Sequence, residues 1–574
     1  LNRLSQAELP PSVSPSIIPN QIGEIMRYTI EGPLSLLDKR TIQDWIVSRY
    51  IKTAYGVEDV PSYGGYIKAY IVELKMDELK KYKISISDVV DAISRSNTNA
   101  GGRPIEIGNQ YLMIQGKGMV SDIEDIKNIV IDVRNGFPIK VSDVASVKLG
   151  NVPRTGIVGL NNKDYIVMGI VVIRKDAKII PAISSVHQKI KELNERILPK
   201  GLKIVPFYER GKLVYEVIKK VVEIAIIGII LVFVSIFIFL GDLKSAIFTS
   251  LIVPFSLIIS LGIMSIKGES ASFLSIAAID FGIIVDLALL YIEDYFRLLD
   301  KVGSPQRAIM LSAEETTSLL IFSILIIMIS FIPIFLMEGA EKQIFYPMAK
   351  TYLYALIISI TLTFTFLIAC IRIFIKSSRD KITLPVKFLQ NLYSRLLNYL
   401  TLLKLRFFIF VGLSMLLIMG VLTLFVGMEF LPKMDEGNIY MRVIFPYSIS
   451  LEKTYENAKK IRDNLIKIPE IKTIEFQVGR PEDGTDPTGP FNSEYFIDLK
   501  PYNTWRKGLT KEKLENEIRS VVRSLFPNAD IDVSQYIQAN LQETMSGVKG
   551  ENAIKIFGDN YYKLDSLAEI IAKK

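Results

Sequence analysis

The chain holds a single cysteine, Cys370, and a single histidine, His187, in 574 residues. A disulfide needs two thiols, and a thiolate or imidazole metal centre needs several such ligands, so this chain alone can build neither. Cys370 lies in an apolar run, while His187 falls in an amphipathic helical pattern and reads as surface decoration. There is no nucleophile–base arrangement and no phosphate-cradling glycine loop, which argues against an enzyme. The formal charge of +8 is concentrated in loops, so nucleic acid is not indicated as a partner. The chain begins at Leu1 without a signal or anchor segment and closes inside a helical pattern, LDSLAEIIAKK. It is expected to be part of something longer.

Long apolar runs, by contrast, are abundant. Hydrophobic residues make up 49% of the sequence, and six runs, at about 217–240, 245–266, 271–296, 316–337, 350–375 and 407–427, reach the roughly 20 residues that cross a hydrocarbon core. Pro254 and Pro333 lie inside two of them and are expected to kink the helices. The connection between the fifth and sixth runs carries Arg372, Lys376, Arg379, Lys381, Lys387, Arg395, Lys404 and Arg406 against one acid, Asp380. The loop after Glu293 is also basic, so both are placed in the cytoplasm by the positive-inside rule. The flanking regions then share the outer side. Leu384–Leu403 reads as an amphipathic helix at the interface.

Those flanks read as α+β. Strand-like runs (Ile22–Ile30, Tyr66–Leu74, Tyr165–Arg174, Lys203–Phe207) alternate with amphipathic helices (Leu37–Thr53, Ser87–Ser94, Ile179–Arg196), which predicts repeated β-α-β units. Ser87 is the expected N-cap of the second helix. Gly64-Gly65, Gly101-Gly102 and Asn135-Gly136 mark turns. The closing stretch IKIFGDNYYKLDSLAEIIAKK echoes YTIEGPLSLLDKRTIQDWIV near the start, which suggests duplicated modules. The expected organisation is 1–212 soluble, 213–297 membrane helices, 298–315 a cytoplasmic loop, 316–376 helices, 377–406 a cytoplasmic amphipathic segment, 407–427 a helix and 428–574 a second soluble module.

The run Ala271–Leu299, ASFLSIAAIDFGIIVDLALLYIEDYFRLL, is the one that carries chemistry. It is apolar enough to span a membrane yet contains Asp280, Asp286 and Glu293. Each charge at the bilayer centre costs roughly 2.5–3.5 kcal/mol, so such groups point to function. At about 100° per residue, Asp286 and Glu293 fall within roughly 20° of each other, and Asp280 lies about 120° round and about 9 Å away. The functional reading is a proton relay buried in a helix bundle. Solvation near the helix ends is the alternative, and it suits Glu293 better than Asp286. Gly282, Ala277, Ala278 and Ala288 are small, as close helix packing requires.

IDFGIIVDLALLYIEDYFRLL, FLGDLKSAIFTSLIVPFSL, GMEFLPKMDEGNIY, GRPEDGTDPTGP and SGVKGENAIKIFGD together resemble the heavy-metal branch of the resistance–nodulation–division efflux pumps, the CzcA type. SYGGYIKAYIVELKMDELKKYKISISDVVDAISRSNTNAGG looks like that family's porter and docking region. The resemblance implies a membrane protein with an α-helical transmembrane bundle plus α+β periplasmic porter and docking subdomains. It implies a homotrimeric cation/proton antiporter of the bacterial inner membrane, without a cofactor, working with a periplasmic adaptor protein and an outer-membrane channel. Asp280, Asp286 and Glu293 map onto the family's relay acids; their usual lysine partner belongs to a second half outside this sequence. The cleft candidates are Glu482, Asp483, Asp486, Glu494 and Glu543, oxygen ligands that suit Zn²⁺, Co²⁺, Cd²⁺ or Ni²⁺ better than monovalent copper or silver. A solvated loop is the alternative for each. This chain departs from the family pattern at Leu287, Asp294 and Ala539. Two other readings stand beside metal efflux: the drug branch of the superfamily, whose relay has adjacent acids where Asp286 is followed by Leu287, and a truncated remnant without transport.

Overall fold

The computed structural model describes residues 23–269, 281–375, 383–401, 405–425, 435–482, 488–546 and 554–572. They form two compact units, one from residues up to Leu213 together with those from Pro432 onward, the other from Val214 to Leu431.

The first unit begins with β1 (Glu24–Glu31) and α1 (Leu36–Ile42), which continues through a wider π-turn, Gln43–Val47, into Ser48–Ile51. Short strands β2 (Val57–Asp59) and β3 (Ser62–Tyr63) follow. Next, β4 (Lys68–Leu74) leaves the sheet and leads through α2 (Ile86–Ser96) and several small hairpins to β5 (Ala145–Asn151), which pairs back on β4. β6 (Gly156–Leu160), β7 (Met168–Ile173), α3 (Ile179–Glu192) and β8 (Lys203–Glu209) complete the segment before the apolar helices. Gly64 and Gly65 hold their backbone where a side chain strains, with φ of 74° and 78°; Gly101, expected in a turn, instead ends the short strand Ala100–Gly101. Asn135 and Gly136 (φ 50° and 83°) close a hairpin as a type I′ pair does.

Ser87 is not the cap of α2. Ser85 is: its Oγ accepts the Asp88 amide at 3.1 Å, and Asp88 Oδ2 accepts the Ser85 amide at 2.8 Å. The spacing decides this, because Ser85-x-x-Asp88 forms a capping box while Ser87 finds Val90 three residues on. These bonds hold the Asp88 carboxyl below its usual range. Ser85→Ala is expected to destabilise the helix by about 1 kcal/mol, and Ser87→Ala by less than about 0.5 kcal/mol; amide exchange within Ile86–Ser96 separates the two.

The second unit holds α4 (Arg210–Leu240, begun in the first), α5 (Leu243–Ser250), α6 (Ile252–Ile266), α7 (Phe281–Val302), α8 (Pro305–Ser330), α9 (Ile332–Phe335), α10 (Gly339–Leu362), α11 (Ile368–Phe374), α12 (Leu384–Thr401) and α13 (Leu405–Thr423). Among the described residues, five stretches are long and apolar enough to cross a membrane: Leu213–Leu240, Leu243–Ile266, Pro305–Phe335, Phe345–Phe374 and Leu405–Thr423. The remaining expected run, 271–296, begins outside the described residues and continues as α7. The two prolines interrupt their helices. Pro254 cannot donate to Ser250, and Leu251 separates α5 from α6; Pro333 likewise follows the break at Phe331.

Returning to the first unit, β9 (Asn438–Ile444), α14 (Leu451–Leu465), β10 (Ile471–Gly479), β11 (Asn492–Leu499), α15 (Lys511–Leu525) and β12 (Asp530–Ser534) precede α16 (Tyr536–Ser546) and α17 (Tyr561–Ala572). The first sheet runs β8-β1-β7-β2, and the second β12-β9-β11-β10 with β6 added beyond β10. Strand for strand the two orders are the same: each is a pair of interlocked β-α-β units in an antiparallel sheet. A repeated topology is therefore present, its second copy running Asn438–Ser534. In the echoing stretch at the close, Gly558 precedes helix α17, the order the echo describes. Each copy packs helices on its sheet. In α14, Tyr455, Ala458, Ile461 and Leu465 recur at helical spacing against Ile474, Phe476 and Tyr495.

Candidate functional site

Helix α7 is the hub of the second unit's core. Ile284, Val285, Leu287, Ala288, Tyr291, Ile292, Tyr295, Phe296, Leu298 and Leu299 are buried. Polar anchors fix its rotation. Ser359 Oγ donates to the Ile284 carbonyl at 2.6 Å, Tyr295 OH to the Ile375 carbonyl at 2.7 Å and Tyr291 OH to the Ile309 carbonyl at 3.1 Å. With three sides committed, one stripe is left: Gly282, Asp286, Leu290, Glu293, Arg297 and Asp300 are not buried. Projected at about 100° per residue, these six fall within roughly 40° of the Asp286 direction. The expected alignment of Asp286 and Glu293 is present, but among the described residues both side chains are exposed and not buried as expected, because this side of α7 is the one its neighbours do not cover. Below it, Arg297 pairs with Asp294 and, at 2.6 Å, with Glu315. Asp280, Ala277 and Ala278 lie outside the described residues; Ala288 is buried in the helix contact as its size suggested.

Of the cleft candidates, Glu482, Glu494 and Glu543 are described, and they form no three-acid group that could hold a metal ion. Asp483 and Asp486 lie outside the described residues. Glu482 accepts from Arg40 Nη1 at 3.1 Å, and burial pushes its carboxyl up. Glu494 sits within β11 and accepts from Gln477 Nε2 at 2.9 Å and Asn492 Nδ2 at 3.3 Å. Glu543 is carried by α16. Among the described residues, no group of three or more histidine, cysteine or acidic side chains could hold a metal ion.

Sequence reasoning missed a buried charged cluster in the first unit. Arg27 on β1 donates from Nε to Glu24 at 2.6 Å, from Nη1 to Glu475 of β10 at 2.7 Å and from Nη2 to the Tyr536 hydroxyl at 2.8 Å. That hydroxyl in turn donates to Glu24, and the guanidinium lies 4.7 Å from the Tyr536 ring centroid. Arg27 and Glu475 are 2% and 1% exposed. Two carboxylates thus share one guanidinium, and Glu475 Oε1 has no hydrogen-bond partner among the described residues. Burial, opposed by Arg27, pushes Glu475 up to about 7. A signal existed: each charge interrupts a strand-like run, as in GEIMRYTI and TIEFQV.

The profile of the AcrB/AcrD/AcrF family matches residues 2–574. Protein HelA of Legionella pneumophila is 31% identical over 587 residues, covering 98% of this chain and 55% of that protein. Cation efflux system protein CzcA of Alcaligenes sp. strain CT14 is 31% identical over 604 residues, covering 99% and 56%. Cation efflux system protein CusA of Escherichia coli K12 is 30% identical over 588 residues, covering 99% and 56%. A crystal structure described as a heavy metal efflux pump superposes with a TM-score of 0.86 at 30% identity, covering 100% of this chain and 56% of that one. The chain spans about half the length of the relatives it matches. It belongs to the AcrB/AcrD/AcrF family of resistance–nodulation–division transporters.

Proposed function

We propose that the complete protein expels divalent heavy-metal cations across the bacterial inner membrane in exchange for protons. The observation that carries this reading is the Asp286–Glu293 stripe, two acids on the one side of a buried helix that its neighbours here do not cover. In the assembled transporter that face packs against a helix bearing a cation. An ionised carboxylate favours one packing; a protonated one favours another. One charge moved through 100 mV supplies roughly 2.3 kcal/mol, enough for about a 40-fold gradient per proton. Asp280 is the third relay acid in this reading. A homotrimer, a periplasmic adaptor and an outer-membrane channel complete the machine, with the two β-α-β modules as periplasmic porter elements and Leu384–Thr401 along the cytoplasmic interface. The oxygen-donor acids of the periplasmic region, Glu482, Asp483, Asp486, Glu494 and Glu543, favour Zn²⁺, Co²⁺, Cd²⁺ or Ni²⁺.

A deletion strain should lose tolerance to at least one of these four ions and regain it on complementation. Unchanged tolerance to all four, with sensitivity to organic amphiphiles instead, would assign the protein to drug export.

A further inference from the structure

A cavity of about 290 Å³ opens between the π-turn of the first helix and the start of the β4–β5 ladder. It sits where the chain leaves the first β-α-β module for the inserted segment, the kind of junction where ligand sites concentrate. Its floor includes Tyr70 and Leu149, a cross-strand pair. Trp45 lines its other side and stands 63% exposed on the widened turn, an irregularity often found at functional positions.

The polar groups around it are unevenly committed to other side chains. Arg40 Nε contacts both oxygens of Asp44, at 3.1 and 2.9 Å, while its Nη1 pairs with Glu482 at 3.1 Å, so this guanidinium is fully committed. Thr41 Oγ1 donates to the Leu37 carbonyl at 2.8 Å. Neither the Lys68 ammonium nor the Trp45 indole N–H has a partner among the described residues. Arg49 lies 4.2 Å from the Trp45 ring centroid and adds positive charge at the rim. The cavity therefore offers aromatic and aliphatic walls, two exposed donors not committed to other described residues, and a net positive charge of one from Arg40, Lys68 and Arg49 against Asp44 and Glu482. Such a combination selects an organic anion: the walls favour an apolar body, and the donors favour a carboxylate.

We propose that this cavity is a binding site for a small organic monocarboxylate, its apolar part against Trp45 and Tyr70 and its carboxylate on Lys68 and the indole N–H. The site is separate from the transport reading and stands or falls without it.

Trp45 and Trp505 are the only tryptophans in the chain, which makes the test direct. The 574-residue chain in detergent is titrated with benzoate while indole fluorescence is followed. A saturable change is expected, absent in Trp45→Phe, which reports Trp505 alone. In Lys68→Gln the half-saturating concentration should rise about tenfold, the loss of one charge-assisted hydrogen bond. Benzyl alcohol, with the same ring and no charge, should produce no saturable change. A linear, unsaturating response to benzoate, or equal titrations in wild type and Lys68→Gln, overturns the proposal.

Discussion

Replacing Asp286 by asparagine in the complete protein is expected to reduce metal efflux to the level of a strain lacking the pump, while expression and trimer assembly persist. Asparagine keeps the shape of the side chain and its hydrogen-bonding capacity but cannot change charge between pH 5 and 8. Because Asp286 lies outside the packed side of its helix, between buried Val285 and buried Leu287, the substitution disturbs none of the anchors through Tyr291, Tyr295 and Ser359. Folding should therefore be spared. Glu293→Gln, seven residues on and on the same stripe, tests whether the column acts as a unit. If the two acids share one proton pathway, the double variant should be no worse than Asp286→Asn alone. Metal accumulation in cells, normalised to membrane-inserted protein, is the measurement. Wild-type extrusion by Asp286→Asn would remove the relay assignment.

Much of this arrangement is legible in the sequence because the physics behind it is local. A helix must be about 20 apolar residues long to cross lipid, and the acids of α7 stand out against that background at a readable spacing. The strands of the soluble unit also follow from alternation and turn chemistry. What sequence alone hides is pairing over long separation. β6, near residue 158, joins the second module through β10, near residue 476, and no periodicity announces a partner some three hundred residues away. The same holds for Arg27, whose counterions come from β1 itself and β10 and whose further hydrogen bond goes to Tyr536 at the start of α16. The repeated topology was hidden for a related reason: Glu24–Glu209 and Asn438–Ser534 share a strand order that depends on pairing and not on matching letters. Ser85 was hidden for the opposite reason. Two serines two residues apart both look like caps, and only the partner at the third position distinguishes them.

Arg27→Met is the substitution expected to cost most in stability. It removes the only guanidinium between Glu24 and Glu475 and leaves two carboxyls in a site where Arg27 and Glu475 were almost wholly excluded from water. Breaking a buried pair from one side typically costs about 3–5 kcal/mol, so amides of Ile471–Gly479 should lose protection by about a hundredfold or more. The cost should depend on pH, and its sign is fixed. Glu475 is held above the ordinary carboxylate value, at about 7, so the fold binds its proton more tightly than the unfolded chain does. Its stabilising contribution is complete below the unfolded value, near pH 4.5, and is lost as pH rises through about 7. Relative to wild type, Glu475→Gln should abolish that part of the pH dependence, with the difference confined to this window. In Arg27→Met Glu475 loses its counterion, its pKa climbs further, and the penalty of the substitution grows from pH 5 to pH 8. The double variant Arg27→Met with Glu475→Gln should recover a substantial share of the loss at pH 8 and little at pH 5. Equal protection of β10 in wild type and Arg27→Met across this range would show that the cluster is not what ties the two modules together there.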